Sequence, residues 1–453
     1  MVLSSCGSLL RTDYTPPELN VPKVWNGLGN ATAEAAGWPD GFGDPELSRL
    51  VKLALERNND LAAAAFRVRQ AQLKAGLAYN DQLPQFSGDI SGNNKKVFDE
   101  KDWTNSYSAG FDISYEADLW GRLSRTHDSA VWEAVATNED RLSTALSLVS
   151  TTMKLYWKIA YHNVRLRLSR RNIESSEETL GLMEAQRRYG AATDLEVNEA
   201  LQDLASLRAE HWSIVQERQE DINALAVLFD MPPGKIMADP QKLINTDLPV
   251  IPAGLPADIL ARRPDLRAAE TRLRELLANT DVARANFYPT LSLTGTLGSS
   301  STELANLLDN PFAALASNIT FPFLNWHKLE LSLDESKAEY DEAVVNFRQT
   351  FYEAMKDVEN ALSNRDNLVR QGNRLTDSLI AARKVENIYE VRYKSGAGTL
   401  KDWLDAQDTR RKAEASVAEN LYNRLVNHVT LYEALGGDPT GKDIAVPKDE
   451  EQG

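Results

Sequence analysis

Apolar side chains recur every three or four residues along two very long segments without proline, about 121–189 and 329–393. The first segment shows this spacing at Leu142, Leu146, Val149, Met153, Tyr156 and Ala160. Such spacing is the seam of a coiled coil, and at 1.5 Å per residue a helix of ~68 residues would reach ~100 Å. A shorter helical pattern follows each long one, over about 194–229 and 400–435.

An alternation of apolar and polar side chains precedes each long helical segment, strictly before the first and more loosely before the second. The clearest run has aromatic or aliphatic residues at every second position, namely Tyr107, Ala109, Phe111, Ile113 and Tyr115. Alternation of this kind predicts a strand with one apolar face. The pattern predicts four strands, at about 85–92, 106–116, 289–298 and 314–322.

The order of these elements occurs twice because the chain contains a tandem duplication. A shift of 205 or 206 residues aligns matching pairs in one register, including Pro84 with Pro289, Trp120 with Trp326, Gly190 with Gly396, and Thr193 with Thr399. The duplication predicts a first repeat at 46–230 and a second at 257–436, joined by a linker at 231–256. An N-terminal segment, 1–45, and a polar tail, 437–453, flank the repeats.

The composition narrows the possible functions. Acidic residues outnumber basic ones 66 to 50 in the 453 residues, and a net charge of −16 argues against nucleic acid as a partner. The single cysteine, Cys6, excludes an internal disulfide and a thiolate zinc site. No apolar run is long enough for a membrane-spanning helix, whereas strands could still span a membrane. The histidines are scattered and no catalytic motif is present, so we expect neither an enzyme nor a structural metal.

Four strands have two open edges, and such edges are not viable in lipid. Two chains would close eight strands around a filled interior, whereas three chains would close twelve around an open bore. A different class of protein has the same pattern: a soluble α+β coiled-coil scaffold whose hairpins pack on helices. Patterning alone leaves both interpretations open.

Several motifs resemble those of one family, the TolC-like outer-membrane efflux lipoproteins. They are the strand-to-helix junction FDISYEADLWGRL at 111–123, PAGLPADILARRPDL at 252–266, ANFYPTLSL at 285–293, and LYEALGG at 431–437. The resemblance implies an α+β membrane protein, a homotrimer whose twelve-stranded β-barrel in the outer membrane continues into a periplasmic α-helical tunnel. It implies a passive exit duct for small molecules in a tripartite efflux pump. An outer-membrane duct for type I protein secretion has the same architecture and is the nearer alternative.

The resemblance also implies the partners of such a duct. They are a periplasmic adaptor protein, an inner-membrane transporter of RND or ABC type, and outer-membrane lipid, with no cofactor. Leu3-Ser4-Ser5-Cys6 resembles the end of a lipobox, which implies a covalent lipid anchor, such as palmitate, on Cys6. The alternative is a lone cysteine in a terminal segment. The residues do not identify the exported substrate, the adaptor or the transporter.

The run TLKDWLDA at 399–406 resembles the periplasmic tip of this family, where two acidic residues surround the closed aperture. The resemblance gives that role to Asp402 and Asp405, and Tyr393 matches a tyrosine that helps to hold the gate shut. Gly398 stands where some relatives have a basic residue, so a salt-bridge lock is not predicted. The duplication adds Glu196 and Glu199 as the equivalent positions of the first repeat.

Helix capping is the alternative explanation for part of this motif. Gly190 and Gly396 mark the two helix reversals. Thr193 with Glu196, and Thr399 with Asp402, have the spacing of a capping box. Capping explains neither Glu199 nor Asp405. Because a spacing of three residues places each acidic pair on one helical face, we expect a trimer to gather carboxylates that attract cations.

Overall fold

The computed structural model describes residues 10–25, 40–96, 98, 103–244, 248 and 256–437. Cys6, most of the polar tail and part of the linker lie outside these ranges. Within them the helices and strands are α1 Pro45–Arg57, α2 Asn59–Asn80, β1 Gln85–Lys96, β2 Trp103–Ala117, α3 Arg122–Arg188, α4 Asp194–Val227, α5 Ile259–Arg262, α6 Pro264–Ala285, β3 Thr290–Ser301, β4 Pro311–Thr320, α7 Trp326–Lys394 and α8 Leu400–Ala434.

The structure divides into two compact units, and each unit contains elements of both predicted repeats. Unit 1 comprises residues 1–20, 64–140 and 265–350, and it contains the sheet. Unit 2 comprises residues 21–63, 141–264 and 351–453, and it contains both helix reversals. The division into two sequence repeats stays a prediction. No helix in the described ranges is both long and apolar enough to cross a membrane.

The helical region before β1 consists of two helices, α1 and α2, and the break between them has an equivalent in the second half of the chain. At Asn58 the backbone is extended (φ −70°, ψ 128°), and its side-chain oxygen accepts the Leu61 N–H at 3.0 Å. Asn58 therefore caps α2. The equivalent Arg263 is also extended (φ −77°, ψ 119°), because Pro264 disfavours helical geometry in the residue before it.

Both break residues bond to the carbonyl at the end of one of the shorter helices, α4 or α8, in unit 2. The Asn58 amide donates to the Leu228 carbonyl at 3.1 Å. The Arg263 guanidinium donates to the Ala434 carbonyl at 3.0 Å, and Leu228 and Ala434 are themselves 206 residues apart. Two unrelated side chains thus make the same connection at equivalent positions, as expected of a duplicated fold.

The four strands form one antiparallel sheet in the order β1-β2-β3-β4. One face is apolar and carries Phe86, Ile90, Tyr107, Phe111, Ile113, Tyr115, Leu293, Leu297 and Leu315. The other face is polar and carries Ser87, Asp89, Ser91, Ser108, Asp112, Ser114, Thr294 and Thr296. Among the described strands, β1 and β4 each have one edge without a partner strand.

The strand ends differ from the predicted ones at several points. The strand predicted at 85–92 continues to Lys96, and the strand predicted at 106–116 begins earlier, at Trp103. Both are longer because the backbone ladder continues through polar residues that carry no alternation. The strand predicted at 314–322 begins earlier, at Pro311, and ends at Thr320. Pro322, which has no N–H to donate, begins a 3-10 turn there.

Each unit has its own core. In unit 1 the Trp120 indole stacks on Tyr288 with ring centroids 4.8 Å apart and donates to the Pro289 carbonyl at 2.8 Å. These contacts fasten the end of β2 to the start of β3. In unit 2 the largest fully buried side chains include Trp157, Phe229 and Phe351.

Candidate functional site at the helix reversals

Both reversals of unit 2 turn at a glycine in the left-handed region. Gly190 has φ +73° and Gly396 has φ +75°. The following residues, Ala191 and Ala397, each donate back to a carbonyl five residues earlier at 2.8 Å. This is the Schellman motif that ends a helix. An added Cβ would meet no atom within 4 Å at either glycine, so the backbone angle alone explains why glycine is used.

The threonines that follow each turn cap the next helix. The Thr193 hydroxyl accepts the Glu196 N–H at 3.4 Å, and the Glu196 carboxylate accepts the Thr193 N–H at 2.7 Å. The Thr399 hydroxyl accepts the Asp402 N–H at 3.1 Å and donates to the Asp402 carboxylate at 2.7 Å. The geometry at Glu196 and Asp402 therefore fits the capping interpretation, with a full capping box only in the first copy.

The second acidic residue of each pair takes no part in capping. Asp405 is 67% exposed and lies 3.2 Å from the ammonium group of Lys401, one helical turn earlier. An ion pair this exposed contributes little stability. Asp402 and Asp405 both lie on the exposed side of α8, whereas Trp403 is buried on the other side. Lys401 is a partner that the sequence could have revealed, because it is four residues from Asp405.

An apolar cluster lies beneath the reversals; we call it the tip cluster. Its buried members are Met183, Ala200, Leu400 and Trp403, and Tyr389, Tyr393 and Val197 pack against them. The cluster includes residues of both long helices and both shorter helices. The two helical pairs are therefore in apolar contact here.

Tyr393 links α7 to α3 within the tip cluster. Its ring stacks on Trp403 with centroids 5.6 Å apart. Its hydroxyl donates to the Gln186 side-chain oxygen at 2.9 Å and lies 3.0 Å from the Met183 sulfur. Burial, with a smaller effect of the Glu196 carboxylate, raises the pKa of Tyr393, so the phenol keeps its proton and remains a donor. Gln186 and Met183 carry no local motif, and only the fold brings them to Tyr393.

A layer of ion pairs lies further along α8, beyond the tip cluster. Arg411 binds Asp203 of α4 through two bonds of 2.7 and 3.2 Å. Arg410 lies 2.7 Å from Glu386 of α7 and 2.7 Å from Glu414. Burial raises the pKa of Glu386, and the charge of Arg410 opposes that shift. Adjacent arginines thus hold α8 to two different helices, and sequence reasoning missed both.

Comparison with known proteins assigns the chain to a family. The family model described as outer membrane efflux protein matches residues 50–229 and 255–437, which are most of both predicted repeats. The two matched ranges leave out residues 230–254, which are nearly all of the predicted linker. The family predicted from the motifs is therefore confirmed, and it is a family of transport ducts rather than of enzymes.

Curated relatives match over nearly their full lengths. The pyoverdine export outer membrane protein OpmQ of Pseudomonas aeruginosa is 31% identical over 96% of this chain and 95% of its own length. The probable outer membrane lipoprotein SilC of Salmonella typhimurium is 30% identical over 96% of each chain.

Solved channels have the same fold. The Campylobacter jejuni CmeC outer membrane channel is 26% identical with a TM-score of 0.86, covering 95% of this chain and 96% of that one. The Neisseria gonorrhoeae MtrE outer membrane channel, in its open state, is 28% identical with a TM-score of 0.81, covering 94% and 98%. The chain belongs to the outer membrane efflux protein family.

Proposed function

We propose that this chain is the outer-membrane exit duct of a tripartite efflux pump, through which small molecules pass passively from the periplasm to the exterior. The observation that carries the proposal is the sheet of unit 1, which has one apolar face, one polar face and two unpartnered edges. A sheet of this kind needs further strands at both edges before it can lie in lipid.

Closure by three copies fits this sheet best. Two copies would give eight strands, whose interior fills with side chains, whereas three copies give twelve strands and an open bore. The polar face would then line the bore and the apolar face would meet lipid. The homotrimer and its twelve-stranded barrel are part of the proposal, supported by the similarity to solved outer membrane channels.

Aromatic side chains at both ends of the apolar face support a membrane position. Trp103 is exposed near one end and Tyr115, Phe321 and Trp326 near the other. At ~3.4 Å per residue, β2 rises ~41 Å from Trp103 to Tyr115. Strands of outer-membrane barrels tilt by about 40°, which gives ~31 Å across the bilayer, enough to span the ~25 Å apolar band of such barrels with an aromatic residue at each end.

A lipid anchor on Cys6 is proposed from the lipobox-like residues before it. One relative, SilC of Salmonella typhimurium, is named a probable outer membrane lipoprotein. Mass spectrometry of the N-terminal peptide from membrane-extracted protein should show acyl chains on Cys6. An unmodified Cys6 in that peptide would remove this part of the proposal.

The helix reversals are proposed as the periplasmic gate. Asp402, Asp405, Glu196 and Glu199 would supply its negative charge, and Tyr393 would hold α7 to α3 through Gln186. A periplasmic adaptor and an inner-membrane transporter would open the gate and supply the energy. The printed names of relatives include pyoverdine export and antibiotic efflux, which supports a small-molecule cargo without identifying it. Neither the protein-secretion duct nor the soluble scaffold is favoured by these comparisons.

Planar lipid bilayers test the proposal. Wild-type protein should give discrete but small conductance steps, because the gate rests closed. A Tyr393→Phe, Gln186→Ala chain, which lacks the bond between α7 and α3, should give larger steps. The matched control is Tyr352→Phe, which changes an exposed tyrosine of the same helix. If wild type and both variants fold and insert into the membrane but none of them conducts, the proposal of a duct is contradicted.

A further inference from the structure

The N-terminal segment of unit 1, residues 10–20, has no regular secondary structure from Arg11 onwards and yet is held by specific side chains. The carboxylate of Asp281 on α6 accepts the Thr12 N–H at 3.0 Å and the Thr12 hydroxyl at 2.6 Å. Two bonds from one residue fix both its backbone and its side chain.

Asp281 is a fully buried carboxylate, with 1% of its side chain exposed. Arg125 of α3 donates to it twice, at 3.0 and 2.6 Å, and Arg284 donates once, at 3.1 Å. Arg284 also reaches the Leu10 carbonyl at 3.2 Å and the Thr12 hydroxyl at 3.0 Å. A buried charge requires such partners. Here the N-terminal segment supplies two of the donors, so the site is complete only when the segment is bound.

A second contact holds the same segment two residues further on. The Arg274 guanidinium lies over the Tyr14 ring at 4.6 Å and over the Trp132 ring at 5.4 Å. Arg274 also pairs with Glu270 at 3.2 Å, which fixes its position on α6. Cation–π contacts of this kind gain strength when they are shielded from water. The two contacts together engage both α3 and α6.

We propose that Asp281, Arg125, Arg284 and Arg274 form a docking site for the N-terminal segment, and that this site fixes where the N-terminus of the chain leaves the fold. The six residue steps from Cys6 to Thr12 can span at most ~21 Å of chain. The consequence for membrane anchoring rests on the proposed lipid on Cys6. The docking itself does not depend on it.

The Arg11–Thr12 peptide bond offers a direct readout, because trypsin cleaves after arginine and the amide of this bond is the one held by Asp281. In the native trimer we expect trypsin to release a chain that begins at Thr12 only slowly, and mass spectrometry measures how fast this chain forms. Cleavage of a bond that opens transiently tracks the open population. Thr12→Val, which removes the hydroxyl bond, should accelerate cleavage at this bond at least tenfold.

Matched variants separate docking from other effects. Thr15→Val, on the exposed side of the same segment, should leave the rate unchanged. Asp281→Asn should accelerate cleavage as well. If the Asp281→Asn chain fails to assemble, Thr12→Val still tests the docking site, because that variant leaves Asp281 paired with Arg125 and Arg284. Each rate is divided by the rate for the same chain after denaturation, which removes any change in intrinsic susceptibility.

Two results would overturn the docking site. One is equal cleavage of wild type and Thr12→Val, because the bond from the Thr12 hydroxyl to Asp281 would then contribute nothing to holding the segment. The other is rapid cleavage in Cys6→Ser, because the segment would then be held by its lipid rather than by Asp281. Protection in Cys6→Ser, even where no acyl chain is found on wild-type Cys6, would support docking and remove only the anchor.

Discussion

At the scale of single residues, the carboxylates beside each reversal combine a structural role with an electrostatic one. Asp402 pairs with the Thr399 hydroxyl, so its position follows from capping, while Asp405 extends from the same exposed side of α8. In a trimer, copies of this face would meet around one axis. Clustered carboxylates in a constriction create a negative potential that concentrates cations.

Neutralising these carboxylates should change conduction more than folding. In planar bilayers, Asp402→Asn with Asp405→Asn should weaken the preference for cations and abolish block by trivalent cations added on the periplasmic side. Thr399 remains the helix cap, and an asparagine oxygen at 402 can still accept its hydroxyl, so the melting temperature should change little. Asp377→Asn, at an exposed carboxylate of α7, is the control. Unaltered block in the double variant would show that neither carboxylate lines the aperture.

Buried His428 gives unit 2 a defined sensitivity to acid. Burial, with the positive charge of Arg365, lowers the pKa of His428 to about 4, and its ring packs edge-on against Phe42 at 5.2 Å. An unfolded histidine titrates near pH ~6.5, so between that pH and 4 the unfolded chain binds a proton that the folded chain does not. The stability that neutral, buried His428 contributes is therefore fully present above pH ~6.5 and is lost as the pH falls towards 4.

The expected loss at pH 5 is about 2 kcal/mol per chain relative to neutral pH. His428→Gln should remove this part of the pH dependence of the melting temperature, whatever its own cost at neutral pH. His327→Gln, at an exposed histidine, should leave the pH dependence as in wild type. An equal fall in melting temperature for wild type and His428→Gln between pH 7.5 and 5 would disprove this assignment.

At the scale of elements, the sequence predicted what local patterns encode and missed what distant contacts decide. Alternation located all four strands, but not their ends, since polar residues such as Asn94 can extend a ladder through the backbone alone. Neither helix break was predicted: Pro264 could have revealed the one at Arg263, whereas asparagine at Asn58 is no comparable signal. At the candidate gate, motif spacing predicted the caps, whereas Gln186 lies 207 residues from Tyr393 and no local rule joins them.

Asn58 has two separable roles, and substitution can distinguish them. Asn58→Ala should cost about 1–3 kcal/mol, since it loses both the cap of α2 and the bond to the Leu228 carbonyl. Asn58→Asp keeps the capping oxygen and loses only the donor. Hydrogen exchange at the Leu61 amide should therefore accelerate in Asn58→Ala but not in Asn58→Asp. Acceleration in both would mean that the bond to Leu228, rather than the cap, protects this amide.

At the scale of the whole molecule, the sheet of one chain needs strands from other copies at both of its edges. One chain provides two strand pairs, a long and a shorter helix in each repeat, and a sheet that is open at both edges. The motifs in the sequence were specific enough to predict the family, and similarity over nearly the full chain confirms it. Neither composition nor periodicity could distinguish three copies from two, because that number depends on how strands of different chains meet.

Disulfide crosslinking between β1 and β4 tests the shared barrel most directly. In a Cys6→Ser chain, cysteines would replace Ser87 or Ser91 in β1 and Ala314 or Ala316 in β4, all on the polar face. Within one chain these strands lie three strand spacings apart, ~14 Å, too far for a disulfide. As the control, Ser91→Cys with Ser108→Cys joins side chains whose hydroxyls lie 2.8 Å apart within one chain.

If three chains close one barrel, oxidation at the matching register should convert the β1–β4 pairs into covalent dimers and trimers on a denaturing gel and into nothing larger. The control pair should oxidise fully and remain monomeric. A ladder that stops at dimers, one that continues beyond trimers, or the absence of any crosslink across the scanned registers would contradict a twelve-stranded duct built from three chains.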